Sequence, residues 1–364
     1  STFKPITGMA ALEEEAIDPL NSSVNCAGRY WIAPNIKCTG VHGNVNYYSG
    51  MAHSCNTYFQ EVGRRAGKDK IIDIARQFGL GSKTGIDLPD ENRGLLPTPE
   101  WKKEVNAAIL DNRYEALLKD LDSRYAAMEK GIQDEEELKK LERKKQQEKN
   151  KIDADHDIRY RFDTAWQQYD TFNMSIGQGA NNYTVLQLAN YVATIANGGY
   201  LMKPYLMNQV VSHNGKILKT VKPQVIHEVD LNPSTIAETR RAMLAVTQPG
   251  GTAYFLFSHF PQEIQVGAKT GTAETGREGD NVKKEFHGVF VAFAPFEDPE
   301  IAFAGVIEYG YSGGSSAGLI ARNVFEQYFG IKDHLAEEKA ELEAAKNQTD
   351  DNQTVETDLS LRPR

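Results

Sequence analysis

The stretch IQVGAKTGTAETGREGDNVKKEFHGVFVAFAPFEDPEIAFAGVIEY, residues 264–309, decides the fold class. Ile264 to Lys269 reads as one strand. His287 to Ala294 and Ile301 to Tyr309 are strand-like runs separated by Glu297-Asp298-Pro299-Glu300, a turn signal that makes them a hairpin. Helices flank this sheet on both sides in sequence. Thr184 to Asn197 is an apolar helix closed by Gly198-Gly199, Ser234 to Thr247 is a helix following Asn232-Pro233, and Ala317 to Phe329 closes the globular part. The expectation is an α/β protein with an antiparallel sheet.

The rest of the composition is globular, with 364 residues, 40% hydrophobic and 25% charged, enough for one large domain or two ordinary ones. A formal net charge of −9 lacks the basic footprint of a nucleic-acid binder. Val289 to Phe296 is the longest apolar stretch, far short of the roughly 20 residues that span a bilayer. Three cysteines exclude a disulfide-stapled scaffold but leave room for one bridge and one free thiol. Because residue 1 is Ser, absence of a targeting segment carries no information.

Composition shifts after Lys102. Between Asp111 and Arg161 there are 14 acidic and 13 basic residues, no Pro, and one Gly at position 131. That reads as an inserted charged helical hairpin over residues 103–165, with an apolar stripe Tyr114, Leu117, Leu118, Leu121, Tyr125 and Met128 on its first helix and a poorer one, Leu138, Leu141 and Ile152, on its second. A solvated projection packed on itself is the plainer reading, a docking arm the sharper one. Residues 1–332 form the domain that carries it. From Asp333 the 9 acidic and 4 basic residues make an acidic tail, 333–364, expected to be disordered.

Ser1-Thr2-Phe3-Lys4 places a hydroxyl and an amine three residues apart, on one face of a helix if one begins there, and Pro5 is tolerated near such a start. A serine hydroxyl becomes a nucleophile when a base takes its proton, and a lysine serves as base only when burial or another cation lowers its pKa. Ser-x-x-Lys therefore gains meaning with Ser-x-Asn and Lys-Thr-Gly companions. Lys-Thr-Gly occurs twice. Lys83-Thr84-Gly85 lies in a loop and is rejected; Lys269-Thr270-Gly271-Thr272 ends a strand, where it can present Lys269 and two hydroxyls to a substrate carboxylate, with the Thr272 N–H free for an oxyanion. Of the Ser-x-Asn copies, Ser23 to Asn25 sits in a turn and Ser212 to Asn214 at a hairpin tip. Ser54-Cys55-Asn56, set between apolar residues at helical spacing, is chosen: Ser54 as proton relay and Asn56 as anchor of substrate or of Lys4.

With these motifs the chain resembles the transpeptidase domain of class B high-molecular-weight penicillin-binding proteins, closest to penicillin-binding protein 2 of the cell-elongation and sporulation kind. Thr84-Gly85-Ile86-Asp87-Leu88-Pro89, Ser175-Ile176-Gly177-Gln178-Gly179, Gly250-Gly251-Thr252-Ala253 and Lys269-Thr270-Gly271-Thr272-Ala273-Glu274 extend the likeness over most of Ser1 to Gly330. The resemblance implies a three-layer α/β/α serine transpeptidase (β-lactamase-like) fold with an antiparallel sheet and a helical subdomain, its first strands missing before Ser1. It implies D,D-transpeptidation of peptidoglycan stem peptides: Ser1 as nucleophile, Lys4 as base, Ser54, Asn56 and Lys269 completing the catalytic set, and Thr270, Gly271 and Thr272 binding substrate. β-Lactams would acylate Ser1. A membrane glycosyltransferase partner and a place on the extracytoplasmic face of the bacterial membrane, held by an upstream anchor, are implied as well. A chain extending upstream of Ser1 is expected, since an amide N–H at the nucleophile is what an oxyanion hole needs. D,D-carboxypeptidase and non-catalytic β-lactam sensor remain alternatives. An N-terminal nucleophile hydrolase would leave Lys4, Ser54 and Lys269 as coincidences.

Cys26, Cys38, His42 and Cys55 are spaced by 12, 4 and 13 positions. Three thiols and an imidazole are the donors of a closed tetrahedral zinc site, so a structural zinc is expected there, holding the Ser54 to Asn56 loop. A Cys26–Cys38 disulfide and plain buried thiols are the competing readings.

Overall fold

A computed structural model describes residues 1–274 and 285–331. The acidic tail 333–364 lies outside the described residues. In chain order, α1 (Lys4–Glu13) leads to a small ribbon, β1 (Val24–Cys26) with β2 (Gly43–Val45), and to three helices, α2 (Tyr47–Ala52), α3 (Asn56–Ala66) and α4 (Lys68–Gln77). The long pair α5 (Pro99–Glu129) and α6 (Glu135–Asp163) follows, then α7 (Gln168–Ser175) and α8 (Val185–Ala196). Two small ribbons pair β3 (Tyr200–Met202) with β6 (Val225–Glu228) and β4 (Gln209–Val211) with β5 (Ile217–Thr220). Last come α9 (Pro233–Ala245), α10 (Tyr254–Phe257), the main sheet of β7 (Gly267–Glu274), β8 (Phe286–Ala294) and β9 (Ile301–Ile307), and α11 (Ala317–Phe329).

The sheet is antiparallel in the order β7-β8-β9, with Lys269 opposite Val291 and Ala292 opposite Phe303. The expected first strand is displaced: 262–264 is a short 3-10 turn, and β7 runs on past Lys269 to Glu274. The stop at Lys269 misjudged a strand of small residues, whose pairing partner, not its propensity, makes it a strand. From Phe290 to Ala294 every residue of β8 is buried, as a central strand covered on both faces requires. Phe290 and Phe303 turn toward α10 and α11, where Phe257 and Phe325 meet them. Phe293 turns the other way, against Arg240 of α9. Alternation along β8 thus yields the three-layer α/β/α arrangement expected from the resemblance.

Helix α1 is buried from Lys4 to Ala11 and packs against α3, α4 and α9. A helix enclosed on all sides belongs to the core, and this one joins the sheet layers to the helical part formed by α2, α3, α4 and α7. The charged hairpin forms as two helices, but its first begins at Pro99, capped by Thr98, four residues before the expected boundary. Lys102 is buried there against Asp170, at 2.6 Å. Its apolar stripe is only partly used: Leu121 and Tyr125 are buried, Leu117 and Met128 are exposed, and α6 buries no residue. Polar contacts complete the pairing, Tyr114 and Tyr125 donating to Asp153 at 2.6 Å and Glu148 at 2.8 Å.

Candidate active site

Lys4 opens α1, and Ser1 stands three residues earlier, in the turn that leads into it. Pro5 stands in its first turn, where its missing N–H has no helical partner to lose, and the Lys4 N–H donates to Ser1 O at 3.2 Å. The Tyr191 hydroxyl donates to Thr2 O and pins this entry. Ser54 joins α2 to α3 with φ +54°, a left-handed conformation that costs a residue bearing Cβ and that the surroundings must hold in place. Cys55 then caps α3, its sulfur accepting the Tyr58 N–H at 3.4 Å. Lys269 is in β7, which among the described residues pairs only with β8 and turns its other edge to a groove.

Packing brings these three pieces to one point. Lys4 Nζ lies 3.1 Å from Ser1 Oγ, 3.0 Å from Ser54 Oγ, 2.7 Å from Ser54 O and 2.8 Å from Asn56 Oδ1. Lys269 Nζ donates to Ser54 Oγ at 2.8 Å and to Thr270 O at 2.9 Å. Both lysines are fully buried. Burial lowers Lys4 to about 8, with Cys38 and Cys55 pulling partly back, and drives Lys269 well below its ordinary value, the charge of Lys4 adding to the effect. A neutral Lys4 has two N–H groups and one lone pair. Ser54 O and Asn56 Oδ1 can only accept, so they take the N–H groups and leave the lone pair for a hydroxyl proton. The Asn56 amide nitrogen donates one N–H to Lys37 O at 3.1 Å, which fixes the side chain with its oxygen on Lys4 and leaves the second N–H to the groove that Asn56 lines. Ser54 Oγ, between two amines, can pass a proton either way.

A groove of about 540 Å³ opens over Ser1 and Ser54. Thr270, Thr272 and Glu274 line it from β7, as period-two alternation dictates. Gly271 faces away: a Cβ there would stand 3.1 Å from Val289 Cβ and 3.2 Å from Thr2 Cγ2, so this glycine lets the strand approach the residue next to Ser1. The loop Ser312 to Ser315, packed on β7 and β8, also lines the groove, with Thr252 and Phe255. A Cβ on Gly313 would fall 2.0 Å from Val289 O and 2.5 Å from Gly271 O. Sequence reasoning passed over this loop and Thr252; the glycine and serine run from Gly310 to Ser316 and the Gly250 to Ala253 motif were the available signals. The rejected copies lie elsewhere. Thr84 is tied to Glu91 at 2.6 Å, Ser212 is at the exposed tip between β4 and β5, and Ser23 precedes β1.

The ligand atoms of Cys26, Cys38, His42 and Cys55 lie within 4.8 Å of one another, and all three thiols are free. His42 Nδ1 is 3.6 Å from Cys26 Sγ and 3.5 Å from Cys38 Sγ, and the Cys38 and Cys55 sulfurs are 3.8 Å apart. Tetrahedral zinc, with bonds of about 2.3 Å to sulfur and about 2.05 Å to nitrogen, sets two sulfurs about 3.8 Å apart and sulfur and nitrogen about 3.5 Å apart. The donor set fits. Cys38 is held well below its ordinary value, by the proton shared with Cys55 first, and it also accepts the Asn56 N–H at 3.2 Å.

A sequence model of the penicillin binding protein transpeptidase domain matches residues 1–326. The peptidoglycan D,D-transpeptidase MrdA of Acinetobacter baumannii is 29% identical over 348 residues, covering 90% of this chain and 42% of that protein. This chain spans less than half the length of the curated MrdA relative. Among solved structures, penicillin-binding protein 2 of Pseudomonas aeruginosa in complex with WCK 5153 shares the fold with TM-score 0.66 at 23% identity, over 92% of this chain and 61% of that one. The complex of penicillin-binding protein 2 and MreC from Helicobacter pylori gives 0.62 at 23% identity, over 90% and 49%.

Proposed function

The chain belongs to the penicillin-binding protein transpeptidase family, in its penicillin-binding protein 2 branch, and on that premise we propose that it is the D,D-transpeptidase part of a cell-wall synthesis enzyme. The observation that carries this reading is the chain of polar atoms from Ser1 Oγ through Lys4 Nζ and Ser54 Oγ to Lys269 Nζ, with links of 3.1, 3.0 and 2.8 Å. Ser1 Oγ attacks the carbonyl of the penultimate D-alanine of a stem peptide while its proton passes to the neutral Lys4 amine. The carbon–nitrogen bond breaks, and the terminal D-alanine leaves with a proton delivered through Ser54, replenished from the lysines. An amine of a second strand then attacks the ester, the carbon–oxygen bond breaks, and Ser1 recovers its proton. Thr270 and Thr272 receive the substrate's carboxylate from the β7 edge.

β-Lactams would stop the cycle at the ester on Ser1. The likeness to solved structures that carry WCK 5153 or MreC supports proposing small-molecule inhibitors and an MreC-like protein as partners, and a membrane glycosyltransferase is proposed beside them, with the domain on the extracytoplasmic face of the membrane. Among the described residues no helix is long and apolar enough to cross a membrane. The hairpin 103–165 is proposed as an insertion in a transpeptidase domain, 1–332.

Zinc is proposed for Cys26, Cys38, His42 and Cys55. Bound there, it would cross-link the β1–β2 ribbon to the Ser54–Asn56 loop and so hold Ser54 and Asn56 against Lys4. Metal analysis of protein purified under reductant tests this: one zinc per chain is expected, and none would end the idea.

The functional test is intact mass after incubation with a fluorescent penicillin, with Ser1→Ala as control. A single, slowly lost adduct that vanishes in the control is expected. Absence of an adduct would overturn the reading. Release of D-alanine without cross-linked product, when stem peptides are supplied, would make the chain a D,D-carboxypeptidase.

A further inference from the structure

Thr252 has so far been one residue of a motif and of a groove wall, yet it touches both sides of the cleft. Its N–H donates to Ala52 O at 3.1 Å, at the end of α2 and two residues before Ser54. Its hydroxyl pairs with the Thr270 hydroxyl at 3.0 Å, on the strand that carries Lys269. The segment bearing it is rigidly seated. The Ala253 N–H donates to Val246 O at 2.9 Å, and a Cβ on Gly251 would lie 2.2 Å from that same oxygen, so the chain closes onto the end of α9 only with glycine there.

Counting protons shows what the pair can offer. Two hydroxyls have two protons, and one is used between them. Whichever way that bond runs, one O–H is left for the groove. When Thr252 donates, the Thr270 oxygen is engaged and its own O–H is polarised and aimed outward, where Thr272 supplies a second hydroxyl two residues along the same face. Among the described residues, the Thr252 hydroxyl is the partner that sets the direction of the Thr270 rotor.

Building on the transpeptidase reading, we propose that Thr252 is a positioning residue for the carboxylate end of the substrate: it orients the Thr270 hydroxyl and keeps it in register with Ser54. Thr252→Val preserves the branched shape and the N–H to Ala52 but removes the hydroxyl, and Thr252→Ser restores it. The full chain and both variants are acylated with benzylpenicillin, which carries the carboxylate, and with its methyl ester, which does not. Each variant rate is taken relative to wild type for the same probe. Thr252→Val should slow acylation by benzylpenicillin about tenfold, the loss of one hydrogen bond to a charged group, and that by the ester less than about twofold. Thr252→Ser should return benzylpenicillin to within about twofold. Equal slowing of both probes by Thr252→Val would make the residue merely structural, and no slowing of either would make it idle; both outcomes overturn the proposal. A wild-type chain that takes no benzylpenicillin would instead remove the transpeptidase reading, and this inference with it.

Discussion

Lys4 should make acylation of Ser1 strongly pH-dependent in a direction its burial dictates. An ordinary lysine near 10.5 has about one molecule in three thousand uncharged at pH 7, whereas a value of about 8 leaves about one in ten. Only the uncharged amine can take the Ser1 proton. The rate of adduct formation with a fluorescent penicillin, measured by stopped flow, should therefore rise about tenfold per unit up to pH 8 and level off above it, so that pH 7 runs at about a tenth of the plateau. Lys4→Arg, whose guanidinium keeps its proton, should lower the rate by about a thousandfold or more at every pH. The same depression has a cost in stability. Folding a protonated Lys4 is disfavoured by about 3 kcal/mol below pH 8, and that penalty fades as pH rises from about 8 to 10.5, where the unfolded lysine also loses its proton. Wild type should thus gain stability relative to Lys4→Met over that window in urea titrations. A rate flat from pH 6 to 9, or an Arg variant within tenfold of wild type, would refute the assignment of Lys4 as base.

Three further outcomes follow from the geometry. Gly313→Ala would drive a methyl group against Val289 O and Gly271 O, so adduct formation should fall by more than about tenfold, read by the same penicillin assay. Asp170→Asn should destabilise the fold by about 2 kcal/mol or more, because it leaves Lys102 buried beside a neutral partner; thermal unfolding would show it, and an unchanged midpoint would argue against the clamp. Cys38→Ser should abolish the proposed zinc binding and slow acylation of Ser1, since Cys38 also accepts the Asn56 N–H; metal content and adduct rate measured on one sample would check both.

Much of this protein could be read from its residues. Ser1 and Lys4 come together through the three-residue turn into α1, closed by the Lys4 N–H on Ser1 O, and the strands expected at His287 to Ala294 and Ile301 to Tyr309 declare themselves by a turn between two apolar runs, although β9 stops at Ile307. Helix α8 begins at its Thr184 cap and stops at Gly198, where local chemistry alone sets the ends. The same local logic stumbled where neighbours decide. The strand β7 is made of Gly, Ala, Lys, Thr and Glu, of which only Thr favours a strand, and it extends past Lys269 because β8 lies alongside. The stripe on α5 was legible as a pattern, but its partner helix offers too few apolar residues to cover it, so Leu117 and Met128 stay in solvent.

The motifs themselves were local, and their meeting was not. Sequence named Ser54-Cys55-Asn56 over two rival copies by context, but only packing sets Lys4 Nζ within 3.0 Å of a hydroxyl fifty positions away and Lys269 within 2.8 Å of the same atom from 215 positions away. The lowered lysines likewise depend on burial, which no spacing encodes. Four possible zinc donors could be counted in the sequence; their gathering within 4.8 Å, with three separations near those a tetrahedral ion requires, arises from folding β1, β2 and the turn before α3 together. Thr252 and the Gly313 loop carry no chemistry of their own in sequence. Their place follows from long-range contacts, because periodicity reports only what a helix or strand does with its own neighbours, whereas a cleft is made by segments that meet across the fold.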